Sequence, residues 1–494
     1  MKKLSKSFIC VLLAASLLFS FNAYADVSGA AESDEFTRIC SSVNGDTENS
    51  VGISWCTTAA DSSDVSVVSA DAYSVGGFDK QVIYSGECKE FKGYYIHHVT
   101  VDKLSAGTSY YYRVGNASKS NWSRVCSFKT NAGFDSSFSF LVTADVQASS
   151  DENFERASKV MKAGLKVLPD PAFTVSLGDY VNDCTNDEWN WYFDRFSFAN
   201  DAILHVPVAG NHDGNLKWNW FKNMFNVGEA EGSATTTGCY YSFDYGNAHI
   251  AVLNTNDMYP MSAQQLNWLR NDMNTSSADW KIIFMHRASY SAGKNIDKPD
   301  TIIMRKLLLP VIDELDIDLV MAGHDHMYFR TYQVKNDKVC DTKYVEELYD
   351  GEMTKFALNP EGTVHILPST TGTKRYSVNK SAFGPILGCG EVVSDTKAYG
   401  VFSTVKIDKD KLVFKAYGYD DQAEDENTES VLIDEYAIKK DIGKNKPDPN
   451  YKVLPTNPLI CLPVNIFNFV RLFTYYLVVL FVKIVPTAIK NKQF

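Results

Sequence analysis

Basic charge is what this 494-residue chain is short of: 48 Lys and Arg stand against 60 Asp and Glu, a net charge of −12 at pH 7. A general nucleic-acid binder needs a basic surface, so no nucleic-acid partner is expected. With 45% apolar and 22% charged residues, disordered and collagen-like chains are excluded as well. Long apolar runs are missing. Phe8 to Phe21 and Leu472 to Val482 are each too short alone to span a bilayer comfortably. Leu454-Pro-Thr-Asn457 lacks the Leu-Pro-x-Thr-Gly sorting pattern, which disfavours covalent wall attachment. The length exceeds one ordinary domain and predicts two or three folded units.

The ends of the chain carry address information. Lys2, Lys3 and Lys6 precede the first apolar run, and Ala23-Tyr24-Ala25 supplies a small-x-small cleavage pattern. Residues 1–25 therefore read as a secretory signal peptide, and the mature protein is expected at the cell surface or outside the cell. Losing three lysines and no acid takes the net charge from −12 to −15. Eight cysteines remain in the soluble part: Cys40, Cys56, Cys88, Cys126, Cys184, Cys239, Cys340 and Cys389. Four precede residue 131 and four follow it. Disulfide pairing within each half and buried free thiols are both open readings.

Residues 30–131 read as all-β. Val51-Gly-Ile-Ser-Trp55, Tyr94-Tyr-Ile-His-His98 and Tyr110-Tyr-Tyr-Arg-Val114 alternate, with turn residues such as Ser105-Ala-Gly107 between them. Short strands at this spacing predict a sandwich. Adjacent His97 and His98 point to opposite faces of a strand, so both are expected to be structural. From about residue 135 to 437 the period changes. Apolar strands over 138–144, 172–177, 204–209, 249–253, 280–285 and 318–321 alternate with helical patterns over 151–168, 187–198, 262–273 and 301–315. A hairpin turns around Asp408-Lys-Asp-Lys411. This order predicts an α/β sandwich. Residues 438–458 are polar and Pro-rich, as a linker would be.

The polar residues that interrupt the strand ends carry the chemistry. Asp145 follows one strand and Asp179 the next. Asn211-His212-Asp213 follows Val206-Pro-Val-Ala-Gly210, His286 follows another strand, and His324 and His326 follow Leu319-Val-Met-Ala-Gly323. In open α/β sheets the loops past the C-terminal strand ends form the ligand crevice. Carboxylates, an amide oxygen and imidazoles together make a mixed O/N set suited to transition ions. Each element alone is weak, because Gly-Asp after a strand is usually a turn and a lone His usually a satisfied polar residue. All five in this order are not readily coincidental.

That five-block order resembles the calcineurin-like metallophosphoesterase superfamily. The preceding sandwich, with His97 to Leu104 and Ala106 to Val114 similar to the late strands of a fibronectin type III-like domain, resembles its purple acid phosphatase branch. The resemblance implies a multidomain α+β chain: an N-terminal β-sandwich, a four-layer α/β/β/α metallophosphoesterase domain and a C-terminal apolar helix. It implies two divalent or trivalent transition ions, Fe, Mn or Zn, and a phosphorylated small-molecule substrate hydrolysed as a monoester. Asp179 would bridge the ions, Asp145 and His326 would hold the first, and Asn211, His286 and His324 the second. His212 would serve the leaving oxygen, with Asp213 orienting it. Two positions depart from the family pattern: Gln147 stands where many members have His, and Asn182 where the purple branch has Tyr. Either can supply an amide oxygen or leave room for water. Tyr180 lies at the wrong spacing and reads as structural or substrate-lining. Without the tyrosinate, no visible charge-transfer colour is expected.

Arg287 and Arg375, in the Thr371-Gly-Thr-Lys-Arg375 loop, are candidates to contact phosphate. His205, His249 and His365 lie inside strands and read as core or edge residues. Two rival functions stand beside the monoesterase: a phosphodiesterase or nucleotide-processing enzyme on the same site, and a surface binding protein with a decayed catalytic domain. In the tail, 459–494, the residues Asn465, Asn468, Arg471, Tyr475, Lys483 and Lys490 fall within roughly a 120° arc at helical spacing. This predicts an amphipathic or tilted membrane-associated helix through residues 459–490, with docking onto the protein itself as the bland alternative.

Overall fold

A computed structural model describes residues 35–479 apart from 215–216, 258–260, 297, 379–389, 395, 426 and 448. The signal segment 1–25, Cys389 and residues 480–494 of the tail lie outside the described residues.

The N-terminal unit is the expected sandwich. Thr37–Ser42, Val51–Thr57, Tyr94–Val101 and Glu87–Phe91 form one layer. Val82–Ser85, Asp64–Ser69, Ser109–Asn116, Asn121–Trp122 and Cys126–Lys129 form the other. Alternate side chains of these strands fill the space between, Trp55, Val67, Tyr112 and Phe128 among them. His97 is buried beneath Trp55, its ring stacked at 4.8 Å, and bonds Ser63 and Thr57. A short helix, Ala70–Gly76, was not foreseen; it buries no residue and so shows no apolar period.

In the second unit, five strands carry the site: β1 (Phe138–Thr143), β2 (Phe173–Ser176), β3 (His205–Pro207), β4 (Trp280–Arg287) and β5 (Leu319–Gly323). β1, β2 and β3 pair in parallel in one sheet, and β4 and β5 in a second, seven-stranded sheet. The two sheets face each other through aromatic contacts, Phe140 on Phe284 at 5.8 Å and Phe173 on Phe243 at 5.7 Å. Side-chain alternation sends each strand into two cores. Ile282, Phe284, Leu319 and Met321 lie between the sheets. Ile283, Met285, Val320 and Ala322 pack outward under the helices Ala263–Thr275 and Pro299–Glu314. The helix Asp151–Val167 covers the opposite face, with Gly164 against Leu141 and Phe402. The order helix, sheet, sheet, helix is the four-layer arrangement the resemblance implied.

The boundary between the units is not a gap. β3 pairs in parallel with Thr37–Ser42, so the sandwich layer and the site-bearing sheet are one sheet of twelve strands. Arg38, almost wholly buried, donates to Asn190 Oδ1 at 2.9 Å and to the Asn186 carbonyl at 3.1 Å. Ser54 Oγ donates to the Met224 carbonyl at 2.8 Å. Edge strands Lys343–Tyr349, Glu352–Leu358 and Val431–Lys439 extend the far side of this sheet beyond the expected hairpin.

Of the two open cysteine readings the structure shows the free thiols, and the expected linker needs correction. No disulfide joins the described cysteines; Cys40, Cys56, Cys126, Cys184, Cys239 and Cys461 are buried thiols that pack as small apolar groups. The stretch 438–458 is tied down rather than a free linker. Lys440 pairs with Asp318 at 2.6 Å, Gly443 N donates to Asp279 at 2.6 Å, and Leu454 N donates to Asn271 at 2.8 Å. The chain then enters the helix Pro458–Val479, whose window Pro458–Tyr475 is long and apolar enough to cross a membrane by length and composition.

Candidate metal centre

The predicted ligands meet where the C-terminal ends of β1 to β5 converge. Two sets of ligand atoms lie within 4.8 Å of one another: Asp179, His286 and His324 form one, and Asp145, Asp179 and His326 the other. Asp179 belongs to both. Asn211 Oδ1 lies 3.1 Å from His286 Nε2, which is 3.2 Å from Asp179 Oδ2. His326 Nε2 is 3.4 Å from Asp145 Oδ1.

The backbone is bent to reach this arrangement. Asp145, Gln147, Asp179 and His324 hold φ of 49°, 36°, 53° and 72°, in the left-handed region. An L-residue there costs about 1–2 kcal/mol, and such residues cluster where function requires them. Gly178, at φ 90°, and Gly210 press together; a Cβ on Gly210 would stand 1.9 Å from Asp179 N and 2.3 Å from its carboxylate. Only glycine lets these two turns close around Asp179.

Three imidazoles are oriented by carbonyls. His286 Nδ1 donates to the Leu177 carbonyl at 2.8 Å, His326 Nδ1 to the Lys374 carbonyl, and His212 Nδ1 to the Asn182 carbonyl at 2.5 Å. A carbonyl only accepts, so Nδ1 carries a proton in each ring, and Nε2 is the nitrogen left for the centre. His324 Nε2 and Gln147 Oε1 are buried and, among the described residues, have no hydrogen-bond partner. Two orphaned acceptors beside two carboxylates fit a cation pair and fit little else. Burial, and then the positive neighbours His286 and Arg287, keep His324 well below its ordinary pKa and so neutral. Asp179 feels burial, which opposes ionisation, but His286 outweighs it and holds the carboxylate below its ordinary pKa.

Asp213 plays a different part from the one expected. It does not bond His212. Its carboxylate accepts from Asp179 N, Tyr180 N and Gly210 N, each at 2.7 Å, and staples the turns after β2 and β3 together. Burial and the neighbouring Asp179 push its pKa up to about 8, while the amides pull it down. Three N–H donors match only an acceptor, so the anion is the form the geometry holds. Asn182 contributes its carbonyl to His212, and its amide nitrogen donates to Asp183 at 2.9 Å. Tyr180 is fully buried, bonded to His205 at 2.9 Å and packed on Trp189 and Tyr192, which makes it structural. Arg375 is committed to Asp421 at 2.6 Å and to the Gly372 and Lys397 carbonyls, so a phosphate role for it is withdrawn. Arg287 pairs with Asp300 at the site's edge. His249 bridges Asp244 and Asp272, and His365 sits against Tyr290 in the core.

Tyr376 escaped the sequence reading. Its ring stacks on His326 at 4.4 Å and 15°, its N donates to the His326 carbonyl at 2.9 Å, and Lys294 Nζ caps its other face at 4.0 Å. The signal was present one residue beyond the Thr371–Arg375 loop, but a stacking partner has no fixed spacing.

Comparison with known proteins agrees with this geometry. Residues 138–328 match the model of the calcineurin-like phosphoesterase family, and residues 37–130 that of the purple acid phosphatase N-terminal domain. Among curated proteins, mouse acid phosphatase type 7 is 25% identical over 304 residues, 56% of this chain and 64% of that protein. Soybean purple acid phosphatase is 26% identical over 284 residues, 52% of this chain and 58% of that protein. The chain thus spans less than two thirds of the length of these relatives. A purple acid phosphatase from yellow lupin seeds has a similar fold, with a TM-score of 0.65 at 14% identity, covering 85% of this chain and 78% of that one. The chain carries a calcineurin-like phosphoesterase domain over residues 138–328, preceded by a purple acid phosphatase N-terminal domain over residues 37–130.

Proposed function

We propose that the protein is an exported, membrane-associated phosphoesterase that uses two transition ions, Fe, Mn or Zn, to hydrolyse phosphate monoesters. The observation that carries this reading is the double membership of Asp179. One carboxylate lies within ligand reach of both donor sets, the arrangement a bridged ion pair needs. When bound, such a pair supplies Lewis-acid charge for a phosphoryl group and acidifies water as the nucleophile. The chain's own residues do the rest. Asp145, His326 and the Gln147 amide oxygen would hold one ion, and Asn211, His286 and His324 the other. Asp179 would be shared between them, and Asp213 fixes the turns that position Asp179 and Asn211. His212, its Nδ1 held by the Asn182 carbonyl, would act through Nε2, which in the imidazolium form carries the proton that passes to the leaving oxygen. Tyr376 and Lys294 shield the outer side of His326 and bring one positive charge toward the mouth. The names of the relatives, acid and purple acid phosphatases, favour monoesters over diesters.

Export rests on the signal-like residues 1–25, and membrane association on the exposed apolar helix Pro458–Val479. The test is turnover of an aryl phosphate monoester and the matching diester by full-length protein supplied in turn with Mn, Zn and Fe, beside Asn211→Ala. We expect monoester turnover to exceed diester turnover and to fall at least a hundredfold in the variant. Equal turnover by the variant would remove Asn211 from the centre. Absence of turnover with every metal would return weight to a binding protein with a decayed site.

A further inference from the structure

The C-terminal helix is built inside out. Its inner stripe is Cys461, Asn465, Asn468 and Leu472, at i, i+4, i+7 and i+11 on one face. Cys461 and Leu472 are buried, and Asn465 accepts from Ala263 N at 2.7 Å and donates to Gln264 Oε1 at 2.9 Å. On the outer side Leu459, Ile460, Phe467, Phe469, Val470 and Phe473 are 51–79% exposed. A helix on a watery surface hides its apolar stripe and shows its polar one. Here the asparagines face the protein and the apolar residues face out, so water is the wrong solvent for that outer face.

Two routes of contact locate the helix in the fold, and both lead to Arg287, the neighbour of the ligand candidate His286. Asn465 sits on the first turn of Ala263–Thr275, where Gln265 bonds both the N–H and the carbonyl of Asn254 at 2.9 Å. The next residue, Thr255, accepts from Arg287 N at 2.9 Å. Further along, Lys306 Nζ lies over the Tyr475 ring at 4.3 Å, and Asp300 of the same helix pairs with Arg287. Residues 300 and 306 are separated by about 9 Å of helical rise. Arg287 is the neighbour of His286. The helix therefore packs along the first half of Ala263–Thr275 and meets Pro299–Glu314 near its middle; the N-terminal ends of both outer helices lie at the strand ends where the ligands converge. From Tyr451 to the end the chain has five basic residues and no acid, a charge complementary to anionic headgroups.

We propose that this helix lies in the plane of a bilayer while docked on the domain, holding the mouth of the metal centre at the headgroups, and that the substrate is a phosphate monoester borne on a lipid. The proposal rests on the phosphoesterase reading above and narrows its substrate class. A crossing helix would lose the Asn465 hydrogen bonds and the burial of Cys461 and Leu472, so the docked state is interfacial. In the reaction water adds its oxygen to phosphorus, the P–O bond to the lipid alcohol breaks, and that oxygen takes up a proton. Inorganic phosphate and the free lipid alcohol result.

The experiment uses full-length protein and the double variant Phe467→Asp, Val470→Asp, altered only on the exposed face. Flotation is measured with vesicles of phosphatidylcholine and phosphatidylglycerol. Turnover is measured on phosphatidic acid in phosphatidylcholine vesicles and on a soluble aryl phosphate. We expect the wild type to float and to hydrolyse both esters. The variant should stay in solution, lose at least tenfold on the vesicle-borne ester, and keep soluble turnover within twofold. Undiminished vesicle turnover in the variant overturns the proposal, as does a wild type that stays in solution. A wild-type dimer that the two substitutions dissociate, without flotation, would show that a second copy covers the face. If the wild type floats but cleaves neither ester, the hydrolase reading fails and the substrate assignment with it, while the interfacial helix stands.

Discussion

At the scale of single residues, position along the chain and role in the site are separable. Asp213 and His212 are neighbours with opposite work. Asp213 accepts three buried backbone N–H groups, and leaving such a donor unpaired costs about 1–3 kcal/mol. Asp213→Ala is therefore expected to destabilise the fold by at least about 3 kcal/mol, read by denaturant unfolding. His212, half-buried and anchored by one carbonyl, is expected to cost under about 1 kcal/mol as Ala. Its loss should instead reduce turnover by about 10²–10⁴. The reverse pattern would make His212 structural and Asp213 chemical. Much of this site was legible in the sequence. Asp145, Asp179, Asn211, His286, His324 and His326 each end an apolar strand, and their residue types are those a metal uses. The carboxylate of Asp213 was misread because backbone amides leave no trace in the residue pattern. Tyr376 went unseen because its contact with His326 exists only after the loop has folded over.

At the scale of elements, the helix Ala263–Thr275 connects the centre to the C-terminal tail, and His249 clamps it to the strand Ala248–Val252. His249 bonds Asp272 on the helix and Asp244 on the hairpin, each at 2.7 Å, and Asp272 also accepts from Ser242 at 2.8 Å. Burial lowers the pKa of this imidazole, but the two carboxylates outweigh it and raise the value to about 9. A folded value above the ordinary one means that the contribution is full below about pH 6.5 and is lost as pH rises through 9. Asp244 is largely exposed, so screening limits the contribution to about 1–2 kcal/mol. Wild type should exceed His249→Gln in unfolding free energy by that amount at pH 6 and converge with it by pH 10. A difference unchanged between the two pH values would rule out the charged clamp. The core strands were readable because their alternation feeds two cores. The edge hairpin Lys343–Leu358 was not, since exposed Leu348 and Met353 and the charges around them mask the short buried stretch at Thr354, Phe356 and Ala357.

At the scale of the molecule, the sandwich and the phosphoesterase domain share one sheet, and the tail packs across the outer helices beside the centre. The order read from periodicity, a β-rich unit before an α/β unit, is the one the fold has, but it misses this continuity. The joining pair is Ser42 with His205, a single register point that no local pattern marks. Arg38 and Ser54, polar residues in otherwise apolar strands, were its only hint. The sandwich thereby becomes a buttress behind β3, and β3 delivers Asn211, His212 and Asp213. The proposed chemistry depends on two ions shared through Asp179. The most direct test is elemental analysis of metal per chain in full-length protein and in Asp179→Asn, each loaded with excess metal and freed of unbound ions. The account predicts two ions per chain in the wild type and one or fewer in the variant, with both proteins equally folded. Metal at background in the wild type, or an undiminished pair in the variant, would contradict it.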